Sequence, residues 1–179
     1  ATTESLQKYV IDYDTLRAIN PRLIYASIRG YGRTGPRAGK PGYDLVSQAE
    51  SGTMAITGEV DGAPMRFPTP IADMTCGLFT LIGILAALNA RHTTGQGQFI
   101  DSSLQEGQMT WLENYAGEYF AEGQDPPRRG NRHPQVVPYE AVQGSDGDWF
   151  IPGVGSDNIW QSFCQYVGRD DLARDERYL

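Results

Sequence analysis

PTPIADMTCGLFTLIGILAALNARHTTGQGQFIDSSL, residues 68–104, carries an apolar run, a stop signal and the start of a strand in direct succession. From Met74 to Ala90 no residue is charged. That run falls a little short of the ~20 residues a bilayer span needs. Thr75, Cys76, Gly77, Thr80, Gly83 and Asn89 interrupt it, and no other segment is comparably apolar, so a buried core helix is the expectation. Asp73 stands immediately before the run, where a carboxylate serves as a standard N-cap. The helix should stop at Thr94-Gly95, with glycine at the left-handed C-cap and Arg91 and His92 in the last turn. Phe99–Asp101 then reads as a short strand. Ser103–Ala121 reads as an amphipathic helix with Leu104, Trp111, Leu112, Tyr115 and Tyr119 on its apolar side.

Upstream, Asp14 can cap a short helix that stops before Pro21. LIYASI (23–28) reads as a buried strand, and RGYGRTGPRAGKPGYD (29–44) follows it. A loop so rich in turn-formers directly after a strand is more often functional than idle. Leu45–Ala55 reads as a helix, and Asp61-Gly62 as a turn. Downstream, QDPPRRGNRHPQVVP (124–138) is the strongest candidate for a domain boundary. Two short strands flanking 144–148 make a hairpin, and Ile159–Val167 an amphipathic helix. Helices alternating with strands give an α/β or α+β chain. The segments divide into an α/β part (1–104), a linking helix and Pro-rich linker (105–128), and a hairpin-plus-helix unit (129–179).

The whole chain has 179 residues, 15 Lys+Arg against 22 Asp+Glu, and a formal net charge of −7. That balance argues against nucleic-acid binding, which favours a basic surface. Its 21 glycines and 11 prolines exceed the roughly 12% that the two supply on average and show no collagen period, which implies many tight turns. Two cysteines, Cys76 and Cys164, are too few for a disulfide framework and lack metal spacing, so a reducing compartment is expected. No basic n-region or apolar h-region opens the sequence.

Asp73 has a second reading beside the cap. A carboxylate held at a helix N-terminus after a Pro-rich approach (Pro68, Pro70) can attack an activated acyl group. Tyr43 and Asp44 close the glycine loop, Asp44 reading first as a cap and Tyr43 as packing. Gln48, one turn on, can bond either Asp44 or a ligand. Arg29, Arg33, Arg37 and Lys40 are placed to meet phosphates or carboxylates, or simply solvent. His133 in GNRHP is a candidate proton donor with no acid partner nearby in sequence. There is no HExxH, Walker motif, nucleophile elbow or EF-hand; Asp146-Gly147-Asp148 is too short for the last. The GxG of TGQGQ follows a helix, the wrong context for a dinucleotide.

Four segments taken in order resemble one family: DYDTLRAINPRLIYASIRGYGRTGP (12–36), GKPGYDLVSQAESGTMAITGE (39–59), PIADMTCGLFTLIGILAALNARHTTGQGQFIDSSL (70–104) and RGNRHPQVVPYEAV (129–142). They look like the class III CoA-transferases, the CaiB/BaiF family. The resemblance implies an enzyme with a Rossmann-like large domain, a small α+β domain and an interlocked homodimer. It implies that Asp73 is the nucleophile, attacking an acyl-CoA thioester and passing through an aspartyl-CoA thioester. No metal or redox cofactor is then required, since the coenzyme A thioester is itself a substrate. It places Tyr43, Asp44, Gln48, Arg33 and Lys40 at the substrate site. It makes Gly130, Asn131 and His133 part of a loop that covers that site in some members.

Within the transferases, GYDLVSQAESG and NRHPxxxPY look most similar to the branch that uses succinyl-CoA and small dicarboxylic acids. The basic loop would suit a second substrate carboxylate. The related α-methylacyl-CoA racemases place histidine where this chain has Tyr43, and a glutamate base near Ser156 and Asp157. A racemase needs a base on each face of the α-carbon, and a tyrosine with an ordinary pKa near 10 is a poor substitute. A non-catalytic relative that keeps the fold is the remaining alternative. Family members run to about four hundred residues, so the expectation is an incomplete and, by itself, inactive portion. The expected partners are acyl-CoA and carboxylate molecules, without nucleic acid or membrane. The expected compartment is the cytoplasm, or the mitochondrial matrix in a eukaryote.

Overall fold

The computed structural model describes residues 3–178. They divide into two units, one comprising residues up to Thr57 together with Pro64–Pro126, the other Gly58–Ala63 together with the chain from Pro127 onward. The break at Pro126 lies inside the Pro/Gly/Arg-rich stretch.

The first unit begins with helices α1 (Thr3–Lys8) and α2 (Tyr13–Ile19). Asp12, not Asp14, caps α2, its carboxylate accepting from the Thr15 N–H at 3.1 Å and the Thr15 hydroxyl at 2.8 Å. Asp14 instead lies in the first turn, where its charge still suits the helix dipole. Strand β1 (Tyr25–Arg29) starts later than the apolar run suggests, after the turn at Asn20–Leu23. Two helices follow the glycine loop, α3 (Asp44–Glu50) and α4 (Thr53–Ile56). The single helix expected over 45–55 is broken because Gly52 takes φ 89°, a left-handed conformation.

The apolar run forms α5 (Ile71–Thr94), ended as expected by Gly95 at φ 69°, whose N–H reaches the Arg91 carbonyl at 3.0 Å. Strand β2 (Phe99–Ser103) pairs in parallel with β1, Tyr25 opposite Phe99 and Arg29 opposite Ser103. A parallel pair needs a crossover, which α3, α4 and α5 supply. Stacked Tyr25 and Phe99, 5.6 Å between centroids, pin one end of the register. Gly97 is required where the chain enters β2, since a Cβ there would lie 1.8 Å from the Leu23 carbonyl oxygen.

Ser103 caps α6 (Leu104–Met109), accepting from the Glu106 N–H at 3.0 Å. A 3-10 turn over Thr110–Leu112 and helix α7 (Glu113–Glu122) complete the unit. The one long helix expected over 103–121 is thus interrupted, with Glu113 at φ 41°. The α5 face turned to α3, α6 and the strands carries small side chains; Ala72, Thr75, Cys76, Thr80 and Ala87 are buried. Ala72, Cys76 and Leu104 form its apolar centre.

The opposite face of α5 differs from the buried helix expected. Met74, Leu78, Leu81, Ile82 and Leu85 are each more than half exposed, because within the first unit α3, α6 and the strands all pack on the other face. This helix is long and apolar enough to cross a membrane by length and composition.

In the second unit, β3 (Val142–Gln143) and β4 (Trp149–Phe150) form the expected antiparallel hairpin. Helix α8 (Asp157–Tyr166) buries Cys164. The Arg128 guanidinium donates to the Glu59 and Gly62 carbonyls, binding the 58–63 turn to this unit.

Candidate active site

The glycine loop returns to its own beginning. A Cβ on Gly30 would lie 2.4 Å from the Gly42 Cα, and one on Gly42 would lie 2.2 Å from the Gly30 Cα. Two backbones meet there with no room for a methyl group on either, so both positions require glycine. The Gln105 N–H donates to the Gly30 carbonyl at 3.0 Å, fastening the start of α6 to the same point. The crossing delivers Tyr43 and Asp44 beside the carboxyl end of β1.

Asp44 then reaches across to α5. That helix begins at Ile71 behind Pro70, which has no side chain able to cap. Asp44 Oδ1 accepts from the Ala72 N–H at 2.8 Å and the Asp73 N–H at 3.4 Å. Asp44 Oδ2 accepts from Gln48 Nε2 at 2.8 Å, and Gln48 Oε1 accepts from the Phe67 N–H at 2.8 Å. The amide orientation follows, since a carboxylate can only accept and a backbone N–H can only donate. The cap of α5 therefore comes from a residue remote in sequence. Asp73, expected as the N-cap, is the third residue of the helix, and its side chain is left free of that task.

The Asp73 carboxylate opens into a cleft of about 710 Å³ beyond the carboxyl ends of β1 and β2, where open α/β sheets place their ligands. Ile28, Arg29, Arg33, Lys40, Tyr43 and Leu104 help to line it. Tyr43 is 68% exposed, so its phenol is available to a ligand. The Arg33 guanidinium lies 4.4 Å from the Phe99 ring centroid, while the Arg33 backbone N–H donates to Asp101 Oδ2 at 2.9 Å. Arg29 donates to Ser27 at 3.2 Å and Thr3 at 3.1 Å. Three cationic side chains thus face two carboxylates, Asp73 and Glu4. Arg37 does not line the cleft; it is paired with Glu50, which also accepts from the Tyr31 hydroxyl at 2.8 Å.

Partial burial, and after it the neighbouring charge of Asp44, lift the Asp73 carboxyl above its ordinary value. A more basic carboxylate is a better nucleophile toward an acyl carbon. Cys76, one turn further along α5, does not compete: its thiol is buried, and burial pushes its pKa up, away from thiolate. No cluster of three or more metal-ligating side chains occurs among the described residues.

Gln48 does not line the cleft. It is 1% exposed, and its amide is committed to Asp44 and to the Phe67 backbone. Gly130, Asn131 and His133 belong to the second unit. There Gly130 takes φ 59°, and His133 Nδ1 accepts from the Gln135 and Val136 N–H groups at 3.1 and 3.0 Å. The imidazole stacks on Tyr139 at 5.1 Å between ring centroids. Arg29, Arg33, Lys40, Tyr43 and Asp73 were candidates from the sequence, but Ile28, Leu104, Thr3 and Glu4 were not. Only the register of β1 against β2, which sets both strand ends side by side, would have drawn attention to the first two.

A model of CoA-transferase family III matches residues 1–179. The succinate–glutarate CoA-transferase of Agrobacterium fabrum is 43% identical over 175 residues, covering 98% of this chain and 44% of that protein. The succinyl-CoA:mesaconate CoA-transferase of Haloarcula hispanica is 38% identical over 175 residues, covering 96% and 44%. Among solved structures, a CaiB/BaiF family protein from Brucella suis superposes with a TM-score of 0.82 at 42% identity, over 99% of this chain and 47% of that one. The chain spans less than half the length of these relatives.

Proposed function

This chain belongs to CoA-transferase family III, and from that premise we propose that the protein carrying it moves coenzyme A from an acyl-CoA donor to a small dicarboxylic acid. One observation carries the reading. Asp73 presents a carboxylate with no hydrogen-bond partner among the described residues, raised in basicity, in a cleft with three cationic side chains. Succinyl-CoA is the proposed donor and a small dicarboxylate such as glutarate or mesaconate the acceptor, after the substrates named for the relatives.

The steps need no external oxidant, reductant or metal. An Asp73 oxygen attacks the thioester carbon, the C–S bond breaks, and CoA leaves as thiolate, giving a mixed anhydride. The thiolate attacks the Asp73 acyl carbon, which expels the donor carboxylate and leaves an aspartyl-CoA thioester. The acceptor carboxylate attacks that thioester, releasing thiolate again and forming a second anhydride. Thiolate attack on the acceptor acyl carbon yields the new acyl-CoA and restores the Asp73 carboxylate. Arg29, Arg33 and Lys40 are suited to hold the distal carboxylate or the CoA phosphates, and Tyr43 to donate to an oxyanion.

The exposed apolar face of α5 argues that the 179 residues alone are inactive, and that the working form covers this face, as a homodimer of the whole protein. With both cysteines free and buried, a reducing compartment such as the cytoplasm suits the chain. The test is acyl exchange between succinyl-CoA and a panel of dicarboxylates, run on the longest natural chain that carries these residues. Asp73→Ala and Asp73→Asn should abolish exchange. Near-normal rates in either variant would end the case for Asp73 as nucleophile.

A further inference from the structure

We infer that Asp44, braced by Gln48, is a positioning residue: its charged carboxylate is the detached cap of α5 and holds the turn on which Asp73 stands. The inference rests on Asp73 being the nucleophile. The sequence resemblance alone would put Asp44 among the substrate contacts, yet both of its oxygens are already occupied. Oδ1 takes the Ala72 and Asp73 N–H groups, and Oδ2 takes the Gln48 amide.

Gln48 extends the brace to the approach. Its amide receives the Phe67 N–H at 2.8 Å and faces the Phe67 carbonyl at 3.5 Å, so the chain leading into Pro68–Pro70 is held from the same point. The Gln48 backbone carbonyl in turn accepts from the Ser51 hydroxyl at 3.1 Å and the Thr53 hydroxyl at 2.9 Å. Gln108 donates to Thr53 at 3.0 Å, linking α6 into the set. Ser51, Thr53, Gln48 and Gln108 are all buried. A buried network of this kind is stiff, since every displacement breaks a bond that water cannot replace.

The charge has its own consequence. A carboxylate beside the Asp73 backbone N–H offsets the positive end of the α5 dipole and repels the Asp73 anion. Acylation of Asp73 removes that anion, so the repulsion is relieved in the direction of the reaction, an effect that acts on kcat rather than on substrate affinity.

Two substitutions grade the loss. Asp44→Asn keeps an oxygen acceptor for Ala72 but removes the charge and sets its NH2 against the Gln48 Nε2 donor, so the Gln48 brace is lost with the charge; Asp44→Ala removes the cap as well. In the longest natural chain, Asp44→Asn should lower kcat about tenfold and Asp44→Ala about a hundredfold. KM for both substrates should stay within about twofold, since Asp44 does not line the cleft. Thermal unfolding of Asp44→Asn checks that the fold persists. A rise in KM for the dicarboxylate at unchanged kcat would overturn the inference and return Asp44 to substrate binding. Wild-type kinetics in both variants would overturn it too. If Asp73→Asn retained exchange, the proposed function would fail first, so the two failures are distinguishable.

Discussion

Gly42→Ala is the sharpest perturbation of this site, because it adds one methyl group and alters no chemistry. The new Cβ would sit 2.2 Å from the Gly30 Cα and 3.2 Å from the Gly30 nitrogen. Both are backbone atoms, so no side chain can swing aside. To reach the 3.4 Å at which ordinary contact begins, the crossing must open by roughly 1.2 Å. Asp44 follows two residues later, and its 2.8 Å bond to Ala72 would be stretched by a comparable distance. Overpacking of this kind costs about 1–3 kcal/mol of stability, and a displacement near 1 Å at a reacting group costs ~100-fold in rate. Steady-state kcat/KM should therefore fall about a hundredfold while the unfolding midpoint drops only by a few degrees. Gly117→Ala is the control: nothing lies within 4 Å of its Cβ, and the glycine stands inside α7. That change should raise stability by about 0.5–1 kcal/mol and leave rates alone. A Gly42→Ala enzyme with wild-type kcat/KM would refute the idea that the crossing places the catalytic turn.

Three further outcomes follow from the same geometry. Ionising Asp73 costs the fold something, because its folded pKa lies above the ordinary 3.8. Its contribution to stability is greatest below 3.8 and is lost as pH rises through the folded pKa. Asp73→Asn should therefore gain stability over wild type as pH rises through the raised folded pKa of Asp73, read by urea denaturation across pH. The acid limb of kcat/KM should likewise lie above 3.8, since the nucleophile must be ionised. Asp12→Ala should cost about 1 kcal/mol by removing both bonds to Thr15, whereas Asp14→Ala should cost a few tenths.

The parts of this structure legible in the sequence were those specified locally. The end of α5 at Gly95 is one, since a single left-handed residue stops a helix by itself. The hairpin around 144–148 is another. What could not be read was specified across the chain. Asp73 was expected to cap its own helix because the rule for caps is local, whereas the acceptor comes from Asp44 on α3. The crossing of Gly30 with Gly42 was illegible for the same reason. The exposed face of α5 is a third case: an uncharged helix signals burial, but not which elements bury it.

A covalent bond at Asp73 is the central step of the proposed reaction. The longest natural chain would be mixed with succinyl-CoA, reduced with borohydride, digested and examined by mass spectrometry. An aspartyl thioester is reduced to an alcohol and a free carboxylate is not. The expected result is homoserine in place of Asp73, dependent on succinyl-CoA and absent from Asp73→Asn. Full acyl exchange with Asp73 unmodified under every trapping condition would contradict it.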